Sequence, residues 1–294
     1  MKSKMYSEIE LALASKTGLQ STVVSSRPCS GGCIHKAEIL TLADGREFFV
    51  KSGKGVRQMY EQEAVGLEAL FDSDSIRVPK IVALVSSAGV DQLVLECVVT
   101  GKPKSGFFEQ FGRDLAKLHK CSSGQGFGWP DDNWIGSTPQ ENSWRSDWPD
   151  FFTENRLRPQ LKLAVDNGLS TPQLSKLGTR VIDKVPQLLS GTQEPPALLH
   201  GDLWSGNFMC DGEGRTVIFD PAAYFGHREM EFAMTKLFGG FTEAFYQAYE
   251  EVWKLPEGWQ ERVDLYQLYH LLNHLNLFGT SYLEQCLRGL KRYV

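Results

Sequence analysis

The stretch "LLHGDLWSGNFMCDGEGRTVIFDP", residues 198–221, constrains the fold most, because it joins a strand pair to several oxygen-bearing side chains. The short apolar runs Phe208–Cys210 and Thr216–Phe219 are separated by five residues that include two glycines, which favours a tight reversal. If this hairpin closes, Asn207 at its entry lies beside Asp220 at its exit. An amide oxygen beside a carboxylate suits a hard cation such as Mg²⁺. The segment therefore predicts a metal site formed by Asn207 and Asp220.

Asp202 begins the same loop, away from the strand pair, where its carboxylate could accept a proton from an approaching hydroxyl. A structural interpretation is also available: Asp202 caps a turn, Asn207 satisfies loop amides, and Asp220 ends a strand. For a lone residue the structural interpretation is preferable. Three such residues brought together by one hairpin instead favour a reactive site, with Asp202 as the catalytic residue.

A cation held by oxygen ligands usually carries phosphates, so a phosphate-binding loop is expected upstream. Gly31 and Gly32 lie between two strand-like segments, where bare backbone can approach phosphate oxygens, although a Gly-Gly hairpin turn is an equally good explanation. Lys51 ends the strand-like run "EFFVK". Glu63 shares the apolar stripe of a helical segment with Met59, and a carboxylate facing packed side chains needs a partner. We expect Lys51 to be that partner and to hold its ammonium against nucleotide phosphates.

The composition is that of an ordinary globular protein, with 41% hydrophobic and 23% charged residues among 294. That length accommodates two lobes. The net charge of -5 argues against non-specific nucleic-acid binding, and no apolar run approaches the roughly 18 residues that span a bilayer. Glu8 and Glu10 interrupt the first apolar stretch, which is unlike a secretory signal and predicts an amphipathic helix. We expect a cytoplasmic location.

The order of the predicted elements indicates an α+β fold with two lobes. In the first third, the Asp44-Gly45 pair predicts a hairpin between "IHKAEILTL" and "EFFVKS", and the runs "RVPKIVALV" and "DQLVLECVV" predict two more strands. The segments "GVRQMYEQEAVGLEALF" and "FFEQFGRDLAKLHKC" have helical spacing, and helix dominates thereafter. We expect a small β-rich nucleotide-binding lobe over residues 1–98 and a larger, mainly helical catalytic and substrate lobe over residues 99–294. The stretch 129–148 shows no clear period.

The six cysteines are scattered, with no Cys-x-x-Cys pair, so we expect reduced thiols and no structural zinc. Cys33 adjoins the two glycines of the expected phosphate loop. We predict that it is the most oxidant-sensitive thiol, able to pair with Cys29 or with a second chain; the alternative is a small residue packed under the loop. A monomer or a redox-dependent dimer is expected.

Taken in order, these residues resemble the motifs of the protein-kinase-like fold. The matching positions are Gly31-Gly32 for the Gly-rich loop, Lys51 and Glu63 for the lysine–glutamate pair, "His200-Gly201-Asp202…Asn207" for the catalytic loop, and Asp220 for the metal-binding aspartate. Gly201 stands where protein kinases have an arginine, "Asp220-Pro221-Ala222" replaces Asp-Phe-Gly, and no long activation segment follows. Small-molecule kinases of the aminoglycoside and choline type share these departures.

The resemblance narrows to the fructosamine kinase (ketosamine-3-kinase) family. The stretches that carry it include "SGGCIHKAE", "NWIGSTPQENSW", "DWPDFFTENRLRPQL", "DPAAYFGHREMEFAM" and "YQLYHLLNHLNLFG". It implies that Asp202 is the base, that Asn207 and Asp220 bind Mg²⁺, and that ATP is bound by residues of the first lobe and the linker: Gly31, Gly32, Cys33, Lys51, Glu63, Glu96 and Val98. Members phosphorylate the 3-hydroxyl of ketosamines, and loss of the unstable phosphosugar restores the amine.

Three further residues near these motifs are candidates for supporting roles. Trp204, two residues after Asp202, is placed to stack on a sugar; the alternative is a core tryptophan that braces the loop. Glu231 is expected to brace the catalytic loop, while Arg228 is either structural or substrate-facing. The acceptor would be a ribulosamine, erythrulosamine or fructosamine adduct. A choline or aminoglycoside kinase, or a nucleotide-binding pseudokinase, is the alternative function.

Overall fold

The structure, a computed structural model, describes residues 6–29 and 36–294. The first part of the chain forms a five-stranded antiparallel sheet with strand order β1-β2-β3-β5-β4. Its strands are β1 (Val23–Pro28), β2 (Lys36–Leu42), β3 (Glu47–Gly53), β4 (Ile81–Ser87) and β5 (Val90–Glu96). The hairpin predicted at Asp44-Gly45 is present between β2 and β3, and Gly45 adopts the positive φ of 87° that this turn requires.

Two helices, α1 (Ser7–Thr17) and α2 (Arg57–Asp72), cover opposite faces of this sheet. The apolar residues of α1 pack with Val50 and Val94, whereas those of α2 pack with the strand residues of the other face. Successive side chains of a strand point to opposite faces. Since Val50 faces α1, its neighbour Lys51 faces α2, which carries Glu63.

The rest of the chain is mainly helical and contains most of the core. Its helices are α3 (Phe107–His119), α4 (Trp148–Phe152), a π-helical turn (Thr153–Leu157), α5 (Arg158–Asp166), α6 (Pro172–Leu188), α7 (Glu229–Leu237), α8 (Glu243–Val252), α9 (Trp259–Phe278), a 3₁₀ turn (Thr280–Tyr282) and α10 (Leu283–Lys291). Helices α3 and α8 approach so closely at Gly112 that a Cβ there would lie 2.1 Å from the Phe245 carbonyl oxygen. The expected α+β architecture is confirmed.

Three two-stranded sheets lie among these helices and surround the predicted site. They pair β6 (Asn133–Ile135) with β7 (Thr138–Gln140), β8 (Ala197–Leu199) with β11 (Tyr224–Gly226), and β9 (Phe208–Cys210) with β10 (Thr216–Ile218). The β9–β10 hairpin is the one predicted from its two glycines. The β6–β7 hairpin lies within the stretch 129–148, which shows no clear period.

Backbone hydrogen bonds join the β9–β10 hairpin to the segments that precede β4 and follow β5. Gly101 N–H donates to the Cys210 carbonyl over 2.8 Å, and Ile218 N–H donates to the Arg77 carbonyl over 3.0 Å. The Arg77 guanidinium also bridges the carboxylates of Glu96, at the end of β5, and Asp211 in the hairpin. These contacts fix the hairpin, and the reactive loop that precedes it, against the first sheet. None of the helices in the described part of the chain combines the length and the apolar composition needed to span a membrane.

Candidate active site

A cavity of about 680 Å³ lies where the five-stranded sheet meets the helical part of the chain. The predicted reactive residues that the structure describes all contribute to its wall: Lys51, Glu63, Asp202, Asn207 and Asp220. They come from β3, α2 and the loops on either side of the β9–β10 hairpin. Local hairpin closure and the two-lobed packing therefore bring together side chains that are far apart in sequence.

Lys51 is the centre of the charge arrangement at the back of the cavity. Its Nζ lies 2.7 Å from Glu63 Oε1 and 2.6 Å from Asp220 Oδ1. The Lys51–Glu63 pair was expected, and the contact with Asp220 was not. Burial disfavours the charged form of Lys51, but the carboxylates of Asp220 and Glu63 outweigh it and raise the pKa of the ammonium. Lys51 is therefore a permanent cation beside Asp220.

Asn207 and Asp220 lie side by side, as the hairpin predicts. The β9–β10 pairing continues one step beyond its strands, since Phe219 N–H donates to the Asn207 carbonyl over 3.0 Å. Asp220 takes a left-handed φ of 57°, which is uncommon outside glycine. Both residues face the cavity.

Asp202 is less separate from this pair than the sequence led us to expect. The Asn207 Nδ2 amide donates to Asp202 Oδ2 over 3.1 Å and to its backbone carbonyl over 2.8 Å. Burial first, and then the nearby charges of Asp220 and Glu231, raise the pKa of Asp202 well above its usual range. A carboxylate in this setting has a stronger tendency to take up a proton than an exposed aspartate.

The backbone around Asp202 is held by the buried carboxylate of Glu231, as expected. Its oxygens accept the His200 N–H over 2.6 Å and the Gly201 N–H over 3.1 Å. Burial opposes ionisation of Glu231, yet the neighbouring His119 and His200 outweigh it and lower its pKa. An ionised carboxylate that accepts two backbone amides fixes the path of the loop.

Gly201 is required by the close approach of the segment that follows Asp220. Its φ is 83°, and a Cβ at this position would lie 2.1 Å from the Ala222 carbonyl oxygen. The same two segments are joined by the Ala222 N–H, which donates to the His200 carbonyl over 2.9 Å. The loop that carries Asp202 and the turn that carries Asp220 therefore form one packed unit.

A buried amide cluster on the β6–β7 hairpin binds this unit from the other side, and sequence analysis missed it. Asn133 Nδ2 donates to the Ala223 carbonyl over 2.8 Å, and Gln140 Nε2 donates to the Ala222 carbonyl over 3.1 Å. Gln140 also accepts from the Tyr269 hydroxyl over 2.7 Å. Both amide side chains are at most 4% exposed. Two polar residues spaced within an aromatic stretch were the only signal, and spacing alone does not predict burial.

Of the two roles left open for Arg228, the structure supports the structural one and not substrate contact. Its side chain is 1% exposed, and its guanidinium binds Glu194 through Nη2 at 2.6 Å and Nε at 2.8 Å. It also stacks over Trp253, with the guanidinium carbon 4.0 Å from the ring centroid. Arg228 is not among the residues that line the cavity.

Trp204 lies on the cavity wall, half-buried, on the same side as Asp202. Its indole lies directly over Gly206, where an added Cβ would be 2.3 Å from the ring. One face of the ring thus packs on the loop. The position is compatible with both interpretations, a sugar platform and a brace.

The other end of the cavity contains the predicted linker and most of its apolar wall. Glu96 and Val98 line it, together with Ile39, Phe49 and Leu95. The Glu96 carboxylate binds Arg77, and the Glu96 N–H donates to the Lys80 carbonyl over 2.8 Å. Cys29 also lines the cavity. The predictions for Gly31, Gly32 and Cys33 fall outside the described residues, so the phosphate loop and the pairing of Cys33 with Cys29 or a second chain stay predictions.

The oxygen ligands of the site fit Mg²⁺, which needs few protein ligands, better than a metal coordinated entirely by protein side chains. Over residues 6–29 and 36–294, no three His, Cys, Asp or Glu side chains converge on a common point. Mg²⁺ usually takes one or two protein oxygens and completes its shell with water and phosphate oxygens. Asn207 and Asp220 supply such a pair on a cavity wall.

The fold is shared with solved phosphotransferases. A crystal structure of the aminoglycoside phosphotransferase APH(4)-Ia, in ternary complex with AMP-PNP and hygromycin B, superposes with a TM-score of 0.62 at 18% identity, covering 98% of both chains. At this identity the likeness shows the fold alone, which is the protein-kinase-like fold expected. "Putative fructosamine-3-kinase" from Haemophilus somnus 129PT superposes with a TM-score of 0.90 at 29% identity, covering 100% of this chain and 98% of that one.

The sequence comparisons identify the family. A protein-family model described as fructosamine kinase matches residues 5–294. "Probable ketoamine kinase" of Synechocystis sp. is 44% identical over 282 residues, covering 95% of this chain and 94% of the relative. Chloroplastic protein-ribulosamine 3-kinase of Arabidopsis thaliana is 41% identical over 267 residues, covering 90% and 81%. The chain belongs to the fructosamine kinase family.

The Lys51–Glu63 pair should behave as a coupled unit. The double variant Lys51→Ala/Glu63→Ala should lose less kcat/KM for ATP than the sum of the two single losses, because either change alone already breaks the pair. The difference should correspond to an interaction energy of about 0.5–3 kcal/mol. Glu63→Ala should be the milder single variant, since Asp220 still binds Lys51 in it. Steady-state kinetics of the four proteins measures this.

Glu61 provides the matched control. It lies two residues from Glu63 on the exposed face of α2, where it pairs with Arg57 at 2.7 Å. The Glu61→Ala change should therefore add independently to Lys51→Ala. Additive losses for Glu63 as well would show that Glu63 acts through another partner.

Proposed function

We propose that this protein is an ATP-dependent kinase that phosphorylates the 3-hydroxyl of ketosamines. The observation that carries the proposal is the convergence of Lys51, Asp202, Asn207 and Asp220 on one cavity, in a member of the fructosamine kinase family. Relatives named ketoamine kinase and protein-ribulosamine 3-kinase give the acceptor class. Loss of the phosphorylated sugar would then restore the amine, which makes the reaction a deglycation.

Residues 1–98 are proposed as the nucleotide-binding lobe and residues 99–294 as the catalytic and substrate lobe. The five-stranded sheet ends at Glu96, and the first helix of the second part begins at Phe107. The adenine would lie in the apolar end of the cavity, against the backbone of Glu96 and Val98. Lys51, held by Glu63, would bind the phosphates.

Mg²⁺ would be held by Asn207 and Asp220. When bound, it neutralises charge on the phosphates of ATP during transfer. Lys51 Nζ already contacts Asp220 at 2.6 Å, so the ammonium and the cation site share one carboxylate. The role of these residues is to fix the γ-phosphate in line with the acceptor, because phosphoryl transfer depends mainly on positioning and charge neutralisation.

Asp202 would orient the acceptor hydroxyl and take up its proton. Its raised pKa favours proton uptake, and Glu231 and Asn207 hold it in place. Trp204 would bind the apolar face of the sugar. A cytoplasmic location, the absence of nucleic-acid and membrane partners, and a monomer or redox-dependent dimer stay predictions from the sequence.

Turnover of defined ketosamines tests the proposed function. With Mg·ATP, the protein should phosphorylate ribulosamine and erythrulosamine adducts of an amine at least as well as the fructosamine adduct, because a compact ketose swings its 3-hydroxyl into line more freely. The measurement is ADP release, with the phosphate position assigned by NMR. Choline and an aminoglycoside are the comparison acceptors. Their efficient phosphorylation without ketosamine turnover would overturn the assignment, and no turnover of any acceptor would favour a pseudokinase.

Replacing the proposed base gives a second test. Asp202→Asn keeps the size of the side chain but removes its basicity, and it should lower kcat by about 10²–10⁴-fold. Nucleotide binding, followed by titration with a fluorescent ATP analogue, should be nearly unchanged, because Asp202 does not contact Lys51 or the linker. A variant with near-normal turnover would contradict the role of Asp202.

The two interpretations of Trp204 predict different kinetics. If the indole binds the sugar, Trp204→Ala should reduce ketosamine phosphorylation far more than the slow ATP hydrolysis that occurs without acceptor. Measuring both rates on one preparation makes the comparison internal. Equal loss of the two activities would show that Trp204 only braces the loop over Gly206.

A further inference from the structure

A chain of aromatic rings leads outward from Trp204 along the mouth of the cavity. Its members come from the catalytic loop, the end of α7, α9 and the 3₁₀ turn, and we name them the aromatic rim: Trp204, Phe238, His274, Phe278 and Tyr282. Neighbouring centroids are 6.2 Å apart for Trp204–Phe238, 4.9 Å for Phe238–His274 and 5.4 Å for His274–Phe278. Tyr282 lies 5.1 Å from His274. The rings form one continuous surface.

Two rings of the rim are exposed although they are large and apolar. Phe238 is 42% exposed and Phe278 is 50% exposed. Contiguous exposed apolar surface next to a pocket is typical of a binding site. Phe71 on α2 is similarly exposed, at 54%, but it does not line the cavity.

The rim is continuous with the proposed acceptor site. Trp204, His274 and Phe278 line the same cavity as Asp202. A ketose has only a few carbons, so a substrate whose 3-hydroxyl lies at Asp202 has its nitrogen and the attached group near the mouth. The side of the mouth next to Trp204 is the rim.

The chemistry of the rim matches a cation on an alkyl chain. The nitrogen of a ketosamine is a secondary amine and is protonated at neutral pH, and aromatic faces attract such cations. Burial lowers the pKa of His274 despite its hydrogen bond to the His270 carbonyl, so the ring is neutral and does not repel a cation. Among the described residues of this wall, from Trp204 through Met234 to Phe278, no Lys or Arg lines the cavity.

Each of the two exposed rings is attached at the end of a helix. Phe278 is four residues after His274 on α9, so the two side chains lie on one helix face. Phe238 directly follows α7, in which residues 229–235 are buried in the core. Rings held in this way lose little conformational freedom when a ligand binds, and this favours their use as contacts.

We propose, on the basis of the proposed function, that the aromatic rim is the binding site for the amine side of the substrate, with Phe238 and Phe278 contacting the ammonium-bearing alkyl chain of a glycated lysine. The exposed outer edge of the rim leaves room for the polypeptide to which that lysine belongs. The rim would thus select what the sugar is attached to, while Asp202 and Trp204 act on the sugar.

The test compares two adducts of the same sugar: ribulose on the lysine side chain of a short blocked peptide, and ribulose on methylamine. Phe278→Ala and Phe238→Ala should each raise KM for the peptide adduct by about 5- to 20-fold, because the apolar contacts of these rings with the lysine methylenes, which methylamine lacks, are lost. KM for the methylamine adduct, KM for ATP and kcat should stay within about 2-fold, since none depends on the outer rings. Phe278→Trp, which keeps an aromatic face, should retain most of the affinity.

Phe71→Ala is the matched control, an equally exposed phenylalanine away from the cavity, and it should change none of these constants. Equal KM increases for both adducts, or no increase for either, would overturn the role of the rim. These outcomes differ from failure of the proposed function, which would appear as the absence of ketosamine phosphorylation by the unaltered protein.

Discussion

The ammonium of Lys51, held between Glu63 and Asp220, is the interaction on which the shape of the site depends. A buried charge is costly, by several kcal/mol, unless partners with good geometry compensate it. Lys51 is 9% exposed and has two carboxylate oxygens within 2.7 Å. The pair joins strand β3 to helix α2, and the second contact joins both to the turn after β10. Loss of Lys51 would leave two carboxylates facing each other across the cavity.

The site around Lys51 also carries more negative than positive charge. Glu63 and Asp220 contact Lys51, and Asp202 lines the same cavity. Both burial and the charge of Asp220 raise the pKa of Glu63 and of Asp202. Excess negative charge in a buried site is relieved by a cation. The same arrangement that opposes binding of a bare phosphate therefore favours binding of a phosphate that brings a divalent cation with it.

The backbone geometry explains why the catalytic loop has no arginine. At Gly201 a side chain would meet the Ala222 carbonyl, so no other residue fits without moving the turn that carries Asp220. In this protein Glu231 holds the loop from within the core, and Asn133 and Gln140 hold the turn. Buried hydrogen bonds of the folded chain thus position the loop and the turn, without phosphorylation of an activation segment.

Sequence analysis predicted the elements that have local signals. It missed the contacts that depend on how the folded chain packs and which side chains become buried. Asp44-Gly45 and the glycines between β9 and β10 specify turns locally, so both hairpins were predictable. Glu63 was predicted to pair with Lys51 because its position on the apolar face of a helix implies burial. The Lys51–Asp220 contact spans 169 positions and depends on how the lobes pack, which periodicity does not encode.

The same limit explains what the sequence left open or missed among the polar side chains. Arg228 could face solvent, substrate or core with the same neighbours in sequence, and only the packing of Glu194 and Trp253 around it decides. The β6–β7 strands are three residues each, too short for an alternating pattern to appear. Their amides are informative only once the carbonyls of Ala222 and Ala223 are seen beside them.

The charged part of the cavity and the aromatic rim at its mouth are built on different physical principles, and this difference bears on substrate choice. Around Lys51 and Asp202, buried charges and hydrogen bonds fix each group, because transfer of a phosphoryl group tolerates little displacement. Around Phe238 and Phe278, exposed rings offer area without directional bonds. Apolar and ring–cation contacts tolerate variation in the shape of a ligand far better than paired charges do. Under the proposed function, a site of fixed charges admits a small set of ketoses, whereas the aromatic rim admits amines that differ in the surface carrying them.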